Sequence, residues 1–120
     1  MSSVEIKSVD AAWVRRCADG YAARLFAAHP AVEEVIVFGS FAEGTYAPGS
    51  DLDVFIVLRQ AEKMARDRIA DFLPEAFPVP VDVFPFTRGE MKELEASPLL
   101  AAMRKSSWRY RRDAGEHSRS

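Results

Sequence analysis

A chain of 120 residues, 48% hydrophobic and 28% charged, has the make-up of one small globular domain and leaves no room for a second catalytic lobe. Its formal net charge of −2 lacks the basic excess that drives phosphate-backbone binding, which argues against general coating of DNA or RNA. No apolar run approaches the roughly 20 residues of a membrane span, the opening MSSVEIKSVD has no basic or apolar leader, and the lone Cys17 cannot form an internal disulfide, so the expectation is a cytoplasmic protein.

From Asp10 to Ala28 the residues Val14, Cys17, Ala18, Tyr21, Leu25 and Ala28 recur at spacings of three and four, which predicts one amphipathic helix ending at His29-Pro30. The run from Glu34 to Phe38, stopped by Gly39, is too short for an independent helix and suits a strand covered on both faces. Leu52 to Leu58 has the same character. Between them GSFAEGTYAPGS reads as a loop with at most two helical turns near Phe41 to Tyr46.

Gln60 to Leu73 is read as a helix with Met64, Ala65, Ile69, Phe72 and Leu73 on its apolar side, stopped by Pro74. In PVPVDVFPF the valines 79, 81 and 83 alternate with Pro80, Asp82 and Phe84, a pattern for an edge strand with Asp82 on the face away from the valines. Thr87 with Glu90 predicts a capping box opening a helix to about Glu95, and Ser97-Pro98 opens another to about Lys105. Trp108 and Tyr110 then alternate with arginines as a short last strand. The order calls for an α/β (mixed α+β) fold, a three- or four-stranded mixed sheet backed by helices, because the link between the first two strands is too short for an ordinary crossover. One domain over 1–112 and a frayed tail over 113–120 complete the layout.

A Gly-Ser pair after a buried strand, with a short helix behind it, offers free backbone N–H groups and a hydroxyl to a phosphate, although alone it is more commonly just a turn. Asp51 and Asp53 enter the second strand two residues apart, so alternation turns both carboxylates to one face. Solvated acids at a strand start are the plain alternative, but Asp82 adds a third carboxylate where a surface strand needs none. Gly39-Ser40 with this trio is the donor set of a site that holds magnesium and a phosphate ester, implying phosphoryl or nucleotidyl transfer. His29 and His117 lie outside that pattern, Trp13, Tyr21 and Phe26 read as core or interface residues, and Arg104, Lys105, Arg109, Arg111 and Arg112 read as a mostly solvated basic face placed for docking.

VFGSFAEGTYAPGSDLDVFIV followed by VDVF resembles the signature of the nucleotidyltransferase superfamily that includes DNA polymerase β. Gly39, Ser40, Gly44, Asp51 and Asp53 match its fixed positions, a coincidence expected in roughly one chain in ten thousand, and the short length is similar to its minimal branch, often paired with HEPN-type helical partners in toxin-antitoxin modules. The resemblance implies that Asp51, Asp53 and Asp82 are catalytic and hold two Mg2+ ions, that Asp82 is also a candidate general base, and that Gly39 and Ser40 bind the nucleotide. It implies transfer of AMP from ATP to a hydroxyl of a protein acceptor, the HEPN-type toxin being modified on tyrosine. The chain departs from the family pattern at Glu43, where many minimal members carry Arg. Two other readings stay open: a non-catalytic partner-binding antitoxin module, and a small-molecule nucleotidyltransferase whose homo-oligomer builds the acceptor cleft.

Overall fold

Residues 10–112 are described by the computed structural model, and their layout follows from where the chain places its apolar runs. The two runs without charges in their centres, β1 (Val32–Phe38) and β2 (Leu52–Leu58), become the inner strands and pair antiparallel. β3 (Val81–Thr87), with its prolines, takes one edge parallel to β2, and the three-residue β4 (Arg109–Arg111) takes the other edge antiparallel to β1. The sheet order is β3-β2-β1-β4, four strands of mixed direction. An edge position is where proline, lacking an N–H, costs no ladder bond.

Both faces of the sheet are covered, which is why the inner strands do not alternate with polar residues. Val35, Val37, Val54 and Ile56 pack under α1 (Ala11–Ala28) through Val14, Ala18, Tyr21 and Leu25. Ile36, Phe38, Phe55 and Val57 face the opposite layer with Leu100 and Met103. That layer is built by α4 (Arg88–Glu93) and α5 (Pro98–Lys105). Between β1 and β2 lies the single turn α2 (Ser40–Glu43), and between β2 and β3 lies α3 (Ala65–Phe72).

The caps behave as their residue types predict. Thr87 Oγ1 accepts from Glu90 N while Glu90 Oε1 accepts from Thr87 N, a reciprocal box, and Ser97 Oγ accepts from Leu100 N ahead of Pro98. Several boundaries differ from the sequence reading. β1 starts two residues earlier, at Val32, with an irregular register between Val32 and Glu34. The helical segment after Gly39, one turn, lies at Ser40–Glu43 and stops short of Tyr46, because Gly44 adopts a left-handed conformation that closes it. Helix α4 stops at Glu93.

The largest difference is in α3, which spans Ala65–Phe72 instead of Gln60 to Leu73. Of its expected apolar stripe Phe72 is buried, but Met64, Ile69 and Leu73 are exposed, and Arg68 shares the inward side with Phe72. Arg68 is 4% exposed, and each of its three guanidinium nitrogens has a partner. Its Nε donates to the Lys63 carbonyl, its Nη1 to the Pro85 carbonyl, and its two terminal nitrogens to the two oxygens of Glu90 at 2.8 and 2.9 Å. A buried guanidinium is tolerated only with such partners, and they come from other elements, so local periodicity could not reveal it.

The basic cluster is likewise drawn inward in part. Arg109 donates to the carbonyls of Met103, Arg104 and Ser106 at the end of α5, and Arg112 to those of Phe26 and His29 at the end of α1. Cations at helix C-termini satisfy carbonyls that have no intrahelical donor. Arg109 and Arg111 both bind Glu34, a carboxylate buried in β1. Arg109 and Arg112 therefore hold elements together and are not a free docking face. The segment read as a tail, 113–120, lies outside the described residues, and no helix among the described residues is long and apolar enough to cross a membrane.

Candidate active site

Antiparallel pairing brings the end of β1 beside the start of β2, and parallel pairing brings the start of β3 beside the start of β2. In register, Phe38 faces Asp53, and Asp53 faces Asp82. The row is anchored just outside the strands, where Leu52 N donates to the Pro80 carbonyl at 2.8 Å. A turn positions the approach to Asp51: Ser50 N donates to the Ala47 carbonyl, and Ser50 Oγ accepts from Ala47 N. Alternation then sets Asp53 with Phe55 and Val57, and Asp82 with Phe84 and Phe86, on the face covered by α4 and α5.

The three acids meet at this end of the sheet. Asp53, half-buried, is held above the usual carboxylate range by burial and by the charges of Asp82 and Asp51. Asp82 is raised as well, by desolvation, by a side-chain hydrogen bond with Asp51 and by the Asp51 charge. Mutual repulsion of carboxylates is relieved when a cation sits among them, and an all-carboxylate donor set is the hard-oxygen chemistry that suits magnesium. Among the described residues no group of three or more acidic, histidine or cysteine side chains is arranged so as to hold a metal ion by itself. Asp51 and Asp82 are exposed, which suits an ion whose remaining ligands are water and substrate phosphate.

Gly39 ties the loop to this trio. Its backbone is at φ 79°, a conformation that favours glycine, and a methyl group there would fall 3.4 Å from Asp53 Cγ and closer still to Oδ2. It also stands as the N-cap of α2 without a side chain bonded to the turn, leaving the first N–H groups of α2, those of Ser40 onward, to an external acceptor. Ser40 is half-buried at the start of that turn. The stacked rings of Phe41 and Tyr46, 4.7 Å apart, hold the loop against the opposite layer of the core.

A scan against protein-family models matches residues 22–113 to the nucleotidyltransferase domain. The chain belongs to the nucleotidyltransferase family. Its sequence signature places it with the minimal nucleotidyltransferases of the polymerase β-like superfamily. The solved structure of a provisionally assigned nucleotidyltransferase from Sulfolobus solfataricus aligns with a TM-score of 0.59 over 87% of this chain and 86% of that one, at 22% identity, a likeness of fold. A search of curated proteins finds no match.

Within this nucleotidyltransferase fold Cys17 sits on α1, in the layer opposite the acids, and His29 lies beyond α1 at the far end of the sheet, against the Leu58 end of β2. His117 is outside the described residues. Tyr21 is buried, its hydroxyl donating to the Phe72 carbonyl, Phe26 lies under the Arg112 guanidinium, and Trp13 is half exposed. Lys105, read from the sequence only as part of a basic face, stands beside the loop after β1. With Ala102, Ser106 and Ser107 it lines a cleft of about 280 Å³ whose other wall is Gly39, Ala42 and Glu43. These walls, Gly39 to Glu43 and Ala102 to Ser107, are far apart in the chain, so no local signal could have joined them.

Replacing Gly39 with Ala is expected to strain the loop and push the Asp53 carboxylate out of place, lowering nucleotidyl transfer about 100-fold while the protein still folds. Steady-state turnover beside a circular-dichroism melt checks this; unchanged turnover would show that the loop and Asp53 are not coupled.

Proposed function

We propose that this nucleotidyltransferase uses magnesium to move AMP from ATP onto a hydroxyl of a protein acceptor, as the antitoxin partner of a HEPN-type helical toxin. The observation that carries the chemistry is the meeting of Asp53 on β2, Asp82 on β3 and Asp51 just before β2 with the Gly39-Ser40 loop at one open end of the sheet. Asp51, Asp53 and Asp82 would hold the metal, and Gly39 with Ser40 would cradle the phosphates. Bound magnesium supplies positive charge that eases ionisation of the attacking hydroxyl and offsets charge on the departing pyrophosphate. The acceptor oxygen forms a bond to the α-phosphorus, the bond from that phosphorus to its bridging oxygen breaks, and pyrophosphate leaves. The hydroxyl proton passes to a carboxylate, and the exposure of Asp82 at the edge of the row supports giving it that role.

A macromolecular acceptor suits an acid row whose outer members, Asp51 and Asp82, face solvent. The toxin partner and the adenine base come from the resemblance to minimal family members, and the cytoplasmic setting from the lone Cys17 and the opening residues. Incubating the protein with magnesium and α-labelled ATP in host-cell lysate is expected to label one protein band, absent with an Asp51→Asn/Asp53→Asn variant. No label with any of the four ribonucleoside triphosphates, when the partner is shown to be present, would overturn the reading. Glu43, an acid beside the phosphate loop, favours the second reading, a partner-binding module that neutralises by occlusion. That reading falls if Asp53→Asn retains complex formation but loses neutralisation.

A further inference from the structure

Glu43 sets a problem that the cleft beside it answers. Its carboxylate stands one residue before the end of the phosphate loop, where it opposes a polyanion. The nearest cation is Lys105, the last residue of α5, whose Nζ lies 3.8 Å from Glu43 Oε2. Both side chains are largely exposed, so their attraction is weak and the lysine is free to exchange partners. The two residues face each other across the cleft that Gly39 and Ala42 floor and Ser107 flanks. Ser106 is not available for a ligand: its hydroxyl donates to the Val37 carbonyl and accepts from Trp108 N, which fixes the end of α5 against β1.

Helix α5 packs on the same sheet face that carries Asp53 and Asp82. Gly39 abuts Asp53 and also lines this cleft, so a phosphate chain that starts at Asp53 and crosses Gly39 would enter it, with Lys105 on the far wall. Resting on the nucleotidyl-transfer reading above, we infer that the cleft between α2 and α5 takes the β- and γ-phosphates, with Lys105 leaving Glu43 to bind them. Lys105 then supplies the charge that the loop itself lacks at position 43, and Glu43 competes with the nucleotide for it. Loss of the lysine weakens whatever carries a phosphate tail, and loss of the carboxylate frees the lysine and tightens the same ligands.

Calorimetric titration of wild type, Lys105→Gln and Glu43→Gln with magnesium and α,β-methylene-ATP, with magnesium and tripolyphosphate, and with AMP tests this. The side chain of Lys105 is 70% exposed, so its loss leaves the fold intact, and a melt of each variant verifies that. Lys105→Gln is expected to weaken the ATP analogue and tripolyphosphate about tenfold, with AMP within about twofold, and Glu43→Gln to tighten the first two. If wild type binds the analogue and Lys105→Gln binds it equally well, or loses AMP to the same extent, the inference is overturned and the nucleotidyl-transfer reading stands. If wild type binds neither the analogue nor AMP with magnesium, both fall together.

Discussion

Asp53→Asn is expected to abolish measurable nucleotidyl transfer, a loss of at least about 1,000-fold, and to leave the protein folded and more heat-resistant than wild type. The two effects share a cause. Asp53 sits in register between Phe38 and Asp82, half-buried, with its carboxyl raised by burial and by two neighbouring acids. Folding assembles that repulsion and the unfolded chain relieves it, so removing one charge stabilises the native state. Asparagine keeps the shape and loses the charge that a hard cation needs. A rise in melting temperature of about 2–4 °C is expected in metal-free buffer. Added magnesium should raise the melting temperature of wild type and leave that of the variant nearly unchanged, because binding to the folded state alone stabilises it. A variant that melts below wild type, or retains its turnover, would remove Asp53 from the metal set.

Arg68→Ala is expected to cost the most in stability, about 3 kcal/mol, the lower end of what breaking a buried ion pair costs because Glu90 can still reach water. The guanidinium links the Lys63 carbonyl, the Pro85 carbonyl and the Glu90 carboxylate, and its loss takes a donor from each of them and opens a void, Glu90 keeping the Thr87 N–H. A fall in melting temperature of more than about 10 °C follows for a chain of this size. Lysine is not a substitute, since one ammonium cannot span the fork that Glu90 and two carbonyls occupy. The pair also sets an acid limit. Arg68 and the capping hydrogen bonds hold the Glu90 carboxyl at about 2, against an ordinary 4.5. A depressed carboxylate contributes its full stability above the unfolded value and loses it as pH falls from 4.5 toward 2. Glu90→Gln keeps the capping box, because an amide oxygen also accepts from Thr87 N, but removes the titrating charge. Its stability should change less than that of wild type over this range in urea denaturation at stepped pH. Parallel curves would mean that the pair carries none of the acid sensitivity.

Elements whose causes are local were legible in the chain. The capping box Thr87/Glu90, the Ser97-Pro98 start of α5, the apolar runs of the two inner strands and the valine alternation of the proline-containing edge strand each depend on residues within a few positions of one another. The spacing of Asp51 and Asp53, with Gly39-Ser40 at a strand end, was legible for the same reason: strand alternation acts at i and i+2. The side assigned to Asp82 also followed from alternation, since the valines beside it point the other way.

Tertiary structure alone decided which elements lie side by side. Pairing of Asp53 with Asp82 needs β3 to run parallel to β2, a choice made by the chain between them and the packing of both sheet faces. Hydropathy placed Met64, Ile69 and Leu73 inward, and the fold turned Arg68 inward instead, because a cation is buried only where acceptors from distant elements converge on it. Arg109 and Arg112, read as solvated, found helix-end carbonyls that exist only once α1 and α5 have docked. Lys105 reached Glu43 in the same way, by the meeting of α5 with the loop after β1. A linear pattern records each residue's preference for water or core, and a partner of opposite charge 60 residues away can reverse that preference only in three dimensions.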